Sequence, residues 1–225
     1  MQKQPLLESL TIGDLTLANR LIMAPMTRSR ADNQEKAPTD LHAEYYKQRA
    51  SAGLIITEGS QISQEGVGYI NSKAQVEGWK KVTKAVHDEG GKIFIQLWHV
   101  GRISHPDFHE GKLPLAPSAI NPKAKSFTPK GFKDTVTPKE MSIPEIKQTI
   151  EDFKNAASNA WEAGFDGVEI HSSNGYLLHQ FFSRTSNVRL DEYGGSIANR
   201  SKILFEIIDA IKEVIPENRI GLRLS

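Results

Sequence analysis

The feature that most constrains the fold of this 225-residue chain is a regular alternation of short apolar runs with amphipathic helical segments. Five apolar runs, each as long as a buried strand, are separated by four segments with helical periodicity. Three of those segments end in glycine directly before the next run. This order predicts parallel β/α units, and strands that are apolar throughout indicate a sheet buried on both faces. The predicted strands cover residues 20–25, 54–59, 92–99, 165–171 and 219–225.

Two architectures fit five such units. A doubly wound sheet is complete with five strands, whereas a β/α barrel has eight. No G-x-G-x-x-G turn follows the first predicted strand, which disfavours a dinucleotide-binding doubly wound fold. Residues 10–17 alternate in hydropathy around Gly13-Asp14 and predict a β-hairpin, which would suit the bottom of a barrel. The pattern alone leaves both architectures open.

Composition narrows the class of protein. Basic and acidic side chains nearly balance, with a net charge of +1, so nothing indicates a nucleic-acid partner. The 225 residues contain no cysteine, which excludes disulfides, thiolate nucleophiles and cysteine-ligated metals within them. The N-terminal residues lack a signal-peptide core, and no apolar run approaches the ~18 residues that span a bilayer. We therefore expect a cytoplasmic protein with no membrane partner.

Residues 100–142 interrupt the alternation. This segment is rich in proline, and a loop of this length is more often functional than merely connecting. It follows the third strand on the carboxyl side of the predicted sheet, where it would cover a site. We interpret it as a long loop insertion in a single domain spanning residues 1–225. We expect no metal site, because His99, His105 and His109 lack the spacing of helical ligand pairs.

Every predicted strand ends in a hydrogen-bonding side chain. Ligands bind at the carboxyl ends of the strands in parallel β/α folds, so these groups are candidate site residues. Thr27, Gln96 and Arg223 supply a hydroxyl, an amide and a guanidinium, which could face the polar edge of a flavin ring. The alternative is that they bond neighbouring backbone groups at the rim.

The fourth predicted strand leads into His171, Asn174 and Tyr176 within six positions. A His and an Asn can both donate to one carbonyl oxygen and stabilise negative charge that develops there. A neutral Tyr beside them can supply a proton to the adjacent carbon. The three residues together indicate addition to an activated C=C bond. The alternative is that His171 and Asn174 cap the following helix while Tyr176 belongs to the core.

Longer motifs carry a resemblance to a known family. In chain order they are APMTR (24–28), TEGSQIS (57–63), QLWHVGR (96–102), PLAPSAI (114–120), EIHSSNGYLLHQF (169–181) and NVRLDEYGGSIANR (187–200). With these motifs the chain resembles the old yellow enzyme family of FMN-dependent ene-reductases, which fold as TIM barrels. The resemblance implies an α/β protein of the TIM (β/α)8-barrel lineage. The 225 residues would supply an N-terminal β-hairpin and about five β/α units.

The resemblance also implies a chemistry. It implies FMN as cofactor, NAD(P)H as reductant and a small α,β-unsaturated carbonyl or nitro compound as substrate. His171 and Asn174 would bind the substrate oxygen, Tyr176 would protonate the α-carbon, and Trp98 would line the substrate pocket. The residues implied to contact the flavin or its ribityl chain are Pro25, Met26, Thr27, Ser60, Gln96 and Arg223.

In that family three further β/α units follow, including the loops that hold the FMN phosphate. These units would lie beyond residue 225, so the sequence predicts an incomplete barrel. Its expected partner is a second copy of the chain or a complementing C-terminal fragment. Two functions stay open: an ene-reductase of which the chain is the N-terminal portion, and a non-catalytic remnant or self-associating half-barrel without the phosphate site.

Overall fold

The computed structural model describes residues 4–63, 70–128 and 130–225, and strands and helices alternate in it as predicted. Short 3-10 turns lie at Pro5–Leu7, Pro106–Phe108 and Glu217–Arg219. The strands are β1 (Leu10–Ile12), β2 (Leu15–Leu17), β3 (Ile22–Met23), β4 (Leu54–Gln61), β5 (Ile93–Trp98), β6 (Leu115–Ala116), β7 (Lys125–Thr128), β8 (Gly131–Asp134), β9 (Lys139–Glu140), β10 (Gly167–His171) and β11 (Ile220–Arg223). The helices are α1 (Asp40–Lys47), α2 (Lys73–Asp88), α3 (Ile143–Glu162), α4 (Leu177–Phe182) and α5 (Ile197–Lys212).

The main sheet decides between the two architectures. Its five strands lie side by side in the order β3, β4, β5, β10 and β11, which is their order along the chain. Each neighbouring pair is parallel. A doubly wound sheet reverses its strand order at a switch point, whereas a β/α barrel adds each strand next to the previous one. The sheet therefore has the topology of a β/α barrel, as the resemblance implies.

Three long helices begin at serine caps that the sequence supplies. The side chains of Ser72, Ser142 and Ser196 each accept a hydrogen bond from the backbone N–H three residues later, at the start of α2, α3 and α5. Such a cap contributes about 1 kcal/mol to a helix end. The caps fix where each helix starts, and the helices then pack against one face of the sheet.

The two faces of the sheet have separate apolar clusters, because side chains alternate along each strand. On the outer face, residues such as Ile55, Ile95 and Val168 join the main core with α2, α3 and α5. On the inner face, a smaller cluster joins the hairpin to the amino ends of the strands; it contains Leu15, Leu17, Leu54, Ile56 and Phe94. The hairpin thus covers the amino end of the inner face, as predicted. The carboxyl end is left to polar side chains.

Polar contacts hold the hairpin in that position. Its turn has Gly13 at a φ of 61°, and Asp14 follows. Asp14 accepts hydrogen bonds from Asn218 at 2.6 Å and from the Arg219 guanidinium at 3.0 Å. The Arg219 guanidinium also donates to the backbone carbonyl of Asp166, at the start of β10. The hairpin is therefore tied to the last two strands of the sheet.

Several predictions about local structure were wrong. The 100–142 segment is not a simple loop, because β6 pairs with β9 and β7 forms a hairpin with β8. An ion pair of 2.6 Å between Lys133 and Asp107 ties that hairpin to the preceding turn. The first strand is shorter than residues 20–25, and the short helix α4 was not predicted. The outer strands β3 and β11 are only partly buried, unlike the three strands between them.

Candidate functional site

The candidate site lies at the carboxyl ends of the strands, on the inner face of the sheet. Register places Gly59 of β4 beside Gln96 of β5, and Gln96 beside Glu169 of β10. Trp98 lies two residues after Gln96 on β5, and His171 lies two residues after Glu169 on β10. His171 in turn pairs with Arg223 of β11. Since residues two apart on a strand share a face, these polar side chains converge on one region.

A cavity of about 150 Å³ opens in this region. Eight of the ten residues predicted from the sequence line it, although they come from four strands and the segments that follow them. Its lining residues are Pro25, Thr27, Gly59, Gln96, Trp98, His171, Asn174, Tyr176 and Arg223. The structure thus gathers into one site the groups that the sequence carries almost 200 positions apart.

Two predicted residues lie elsewhere. Met26 is 45% exposed and does not line the cavity. Ser60 is fully buried, and its hydroxyl donates to the backbone carbonyl of Glu58 at 3.2 Å. Ser60 lines an adjoining cavity of about 360 Å³, which shares Thr27, Trp98 and Tyr176 with the first. Their predicted contacts with a flavin remain predictions.

Three rings form one wall of the smaller cavity. The ring of Tyr176 meets that of Trp98 edge-on at 4.7 Å and that of His171 at 5.2 Å between centroids. The indole rests against Gly59, where an added Cβ would come within 2.8 Å of its Cε3 atom. Burial raises the pKa of Tyr176 above its usual value of 10.0, so the phenol keeps its proton at neutral pH. Tyr176 is therefore a proton donor within reach of the cavity.

His171 is held neutral. Burial, together with the positive charge of Arg223, lowers its pKa from 6.5 to about 4. A neutral imidazole carries one N–H, which can donate to an oxygen in the cavity without bringing a full positive charge. The polar and uncharged His171 therefore suits the binding of a carbonyl or nitro oxygen.

Asn174 and Tyr176 lie on the tight turn between β10 and α4. Asn174 has a φ of 59° and Gly175 a φ of 82°, so two consecutive left-handed residues redirect the chain. Tyr176 occupies the N-cap position of α4 without a side-chain cap bond. Instead, the Gly175 N–H donates to Nδ1 of His179 at 3.0 Å. The alternative in which His171 and Asn174 cap this helix and Tyr176 is core does not match this geometry.

Glu169 is a site residue that the sequence analysis missed. It is 8% exposed, and its carboxylate accepts a hydrogen bond of 2.7 Å from the Gln96 side-chain amide. Burial raises the pKa of Glu169, and the Gln96 hydrogen bond and the Arg223 charge offset part of that rise. A lone acidic residue inside the apolar run of β10 was the available signal, because such a residue needs a buried partner.

The donor set fits the polar edge of a flavin ring. Thr27, Gln96 and Arg223 line the same cavity and supply a hydroxyl, an amide and a guanidinium. A guanidinium favours negative charge on the part of a flavin it faces, and an amide or a hydroxyl can donate to ring oxygen and nitrogen atoms. The residues present can therefore hold the ring, with Tyr176 and His171 on the wall beside it.

The family of the chain follows from its sequence match. The profile of the NADH:flavin oxidoreductase / NADH oxidase family matches residues 5–225. The chain therefore belongs to this family of flavin-dependent oxidoreductases, which includes the old yellow enzymes. Members of the family bind FMN and use NAD(P)H as reductant.

Individual relatives agree with that assignment. A probable flavin mononucleotide-dependent alkene reductase of Leishmania infantum is 45% identical, over 98% of this chain and 63% of that protein. An old yellow enzyme homologue from Zymomonas mobilis is 43% identical with a TM-score of 0.94, over 98% and 63% of the two chains. Morphinone reductase in complex with tetrahydroNAD is 43% identical with a TM-score of 0.92, over 99% and 64%. The chain thus spans less than two thirds of each of these proteins.

Proposed function

We propose that the chain carries the substrate half of an ene-reductase site, which reduces the C=C bond of α,β-unsaturated carbonyl or nitro compounds with NAD(P)H. The observation that carries the proposal is the single cavity shared by Tyr176, His171 and Asn174 beside the three flavin-edge donors. The names of the alkene reductase and of morphinone reductase support a reductase function. The complex of the latter with tetrahydroNAD supports a nicotinamide reductant.

The proposed reaction adds one hydride and one proton across the C=C bond. Thr27, Gln96 and Arg223 would hold FMN, and FMN reduced by NAD(P)H would supply the hydride that the β-carbon receives. His171 and Asn174 donate to the substrate oxygen and stabilise the negative charge that develops on it. Tyr176 then gives its phenolic proton to the α-carbon, which completes the saturated product. Thr27, Gln96 and Arg223 orient the ring, and Trp98 confines the substrate beside Tyr176.

The first test is a flavin titration of the purified 225-residue chain, alone and with a separately produced C-terminal portion from a family member. Saturable binding, followed by NAD(P)H-dependent loss of the 2-cyclohexenone absorbance, would support the proposal. Among the described residues, none of the helices combines the length and apolar character of a membrane span. A folded sample that binds no flavin in either preparation would contradict the proposal.

The Tyr176→Phe variant tests the proton donor. It removes one hydroxyl and keeps the ring that packs against Trp98. We expect the rate of enone reduction to fall about 10²- to 10⁴-fold while flavin binding is unchanged, since this is the usual contribution of a positioned acid. Tyr45→Phe is the matched control, because the Tyr45 ring stacks under Arg28 and Arg49 outside the smaller cavity. Equal rates in all three proteins would exclude Tyr176 as the acid.

The same titration distinguishes the ene-reductase from the second function predicted from the sequence, a non-catalytic or self-associating half-barrel. The half-barrel would be favoured if the chain formed a discrete oligomer and bound no flavin even when the C-terminal portion was added. Oligomeric state, a complementing fragment and a cytoplasmic location stay predictions.

A further inference from the structure

Ser173 lies directly behind the proposed substrate-binding histidine. Its hydroxyl oxygen is 3.2 Å from Nδ1 of His171, and its side chain is fully buried. Ser173 is on the turn after β10, and its hydroxyl has no other hydrogen-bond partner among residues 4–63, 70–128 and 130–225. The Ser173 hydroxyl and Nδ1 of His171 therefore bond to each other.

The direction of this hydrogen bond decides what His171 can do. If Nδ1–H donated to the serine, the serine proton would be buried with no acceptor, which costs about 1–3 kcal/mol. If the serine donates to Nδ1, its proton is satisfied and only spare lone pairs on oxygen are left. The second arrangement is the favourable one, and it places the single imidazole proton on Nε2.

We propose that Ser173 is a positioning residue: its hydroxyl donates to Nδ1 of His171 and thereby holds the proton on Nε2, which donates to the substrate oxygen in the cavity. The part about substrate rests on the proposed function. The part about the tautomer does not, because it concerns two side chains of the chain itself. The opposite tautomer would present a lone pair to the substrate oxygen and repel it.

The surroundings of the ring support this assignment. Arg223 is the charged group that acts on His171, and it disfavours a second proton on the ring. The rings of Trp98 and Tyr176 lie beside the imidazole, with centroids 6.1 and 5.2 Å from its own. A neutral ring whose Nδ1 accepts from a buried hydroxyl keeps Nε2–H as its donor.

The test measures the tautomer by ¹⁵N NMR of the imidazole nitrogens in the chain without flavin. We expect Nδ1 to be unprotonated and hydrogen-bonded in the wild-type protein, and Nε2 to carry the proton. In Ser173→Ala the Nδ1 resonance should move to that of a free lone pair, and a population protonated at Nδ1 should appear. Ser173→Thr keeps the hydroxyl and should restore the wild-type pattern.

Ser172→Ala is the matched control. Its hydroxyl is as buried as that of Ser173 and donates to the Arg223 carbonyl at 2.7 Å, so its loss disturbs the same turn without touching the imidazole. The His171 tautomer should be unchanged in this variant. A wild-type His171 protonated at Nδ1, or a Ser173→Ala spectrum identical to wild type, would overturn the proposal.

A second readout concerns the reaction. In a flavin-loaded preparation, Ser173→Ala should lower kcat/KM for an enone about fivefold, the cost of one neutral hydrogen bond, and Ser173→Thr should recover it. If no enone is reduced by any variant but the NMR pattern holds, the proposed function fails and the tautomer assignment stands. If reduction proceeds and the tautomer is unaffected by Ser173→Ala, the positioning role fails alone.

Discussion

The side-chain amide of Gln96 donates a 2.7 Å hydrogen bond to the Glu169 carboxylate, between neighbouring strands on the inner face of the sheet. Because Gln96 has one amide oxygen and one amide nitrogen, this bond fixes which of them faces Glu169. One N–H of the amide is engaged by Glu169, so its second N–H and the amide oxygen are left for a ligand. A buried acid thus orients an amide that the proposed flavin site uses.

Glu169→Gln should change how stability depends on pH. Burial raises the pKa of the folded-state carboxyl above 4.5, so its ionisation disfavours the folded chain. That cost is absent below the unfolded-state pKa near 4.5 and is complete above the raised folded-state value. Relative to wild type, the variant should gain stability as the pH rises from 4 to 7, measured by urea unfolding. Glu151→Gln, at an exposed position of α3, is the control for the loss of a surface carboxylate. A pH-independent difference for Glu169→Gln would count against this account.

His171→Gln should change the pH dependence in the opposite direction. The folded-state pKa is lowered from 6.5 to about 4, so the neutral ring stabilises the fold above 6.5. That contribution is lost as the pH falls from 6.5 through 4, and the interval corresponds to roughly 3 kcal/mol at most. The wild-type protein should therefore lose up to this much more unfolding free energy than His171→Gln between pH 7 and 4. His99, also with a pKa lowered to about 4 by burial, contributes equally to both proteins. Parallel losses would mean that His171 is not held neutral.

Gly59→Ala should displace the indole of Trp98. The added Cβ would lie 2.8 Å from Cε3 of that ring, closer than packed carbons allow. We expect a loss of about 1–3 kcal/mol in unfolding free energy, the usual cost of overpacking, and an altered near-UV circular dichroism spectrum. Gly221→Ala in β11 is the control, since its Cβ would meet nothing nearer than 3.5 Å. The expectation fails if the two variants lose the same amount.

Gln61→Leu should be tolerated. Gln61 is 4% exposed, and its side-chain oxygen is buried without a hydrogen-bond partner in the part of the chain that the structure describes. An unsatisfied buried polar atom costs about 1–3 kcal/mol, and leucine removes it at similar volume. The unfolding free energy should stay the same or increase.

Gln180→Leu is the contrasting variant. Gln180 is 2% exposed, and its amide donates to the carbonyls of Val100 and Gly175 while its oxygen accepts from the Arg102 N–H. Its replacement leaves the Gly175 carbonyl and the Arg102 N–H unpaired, while the Val100 carbonyl keeps its bond from the Ile103 N–H, and should cost about 2–4 kcal/mol. A larger loss in Gln61→Leu than in Gln180→Leu, by urea unfolding, would reverse this ordering.

The site was predictable where strand topology alone brings residues together. Parallel strands end at one edge, so Gln96, Trp98, His171 and Arg223 had to converge once the order of the strands was right. The hairpin at Gly13 was also readable, because it depends on a local pattern. These features need no knowledge of side-chain packing.

The features of the fold and site that were not predicted depend on side-chain contacts that hydrophobic periodicity does not encode. The strands β6 to β9 are two to four residues long and are stabilised by distant partners, including the buried Arg189, which donates to the carbonyls of Pro117 and Met141. Met26 follows a strand of only two residues, so the direction of its side chain could not be inferred. The bond between Ser173 and His171 forms just beyond the end of β10, where the strand pattern no longer gives side-chain directions.

The bond between Asp14 and Arg219 joins residues 205 positions apart, near the two ends of the described chain. Closing so long a loop carries a large entropic cost, which is met only after the intervening strands and helices have formed. We therefore expect the hairpin to dock late in folding, after β11 has joined the sheet. The order of assembly would then run from the middle of the chain outward, and the amino terminus would be among the last parts to settle.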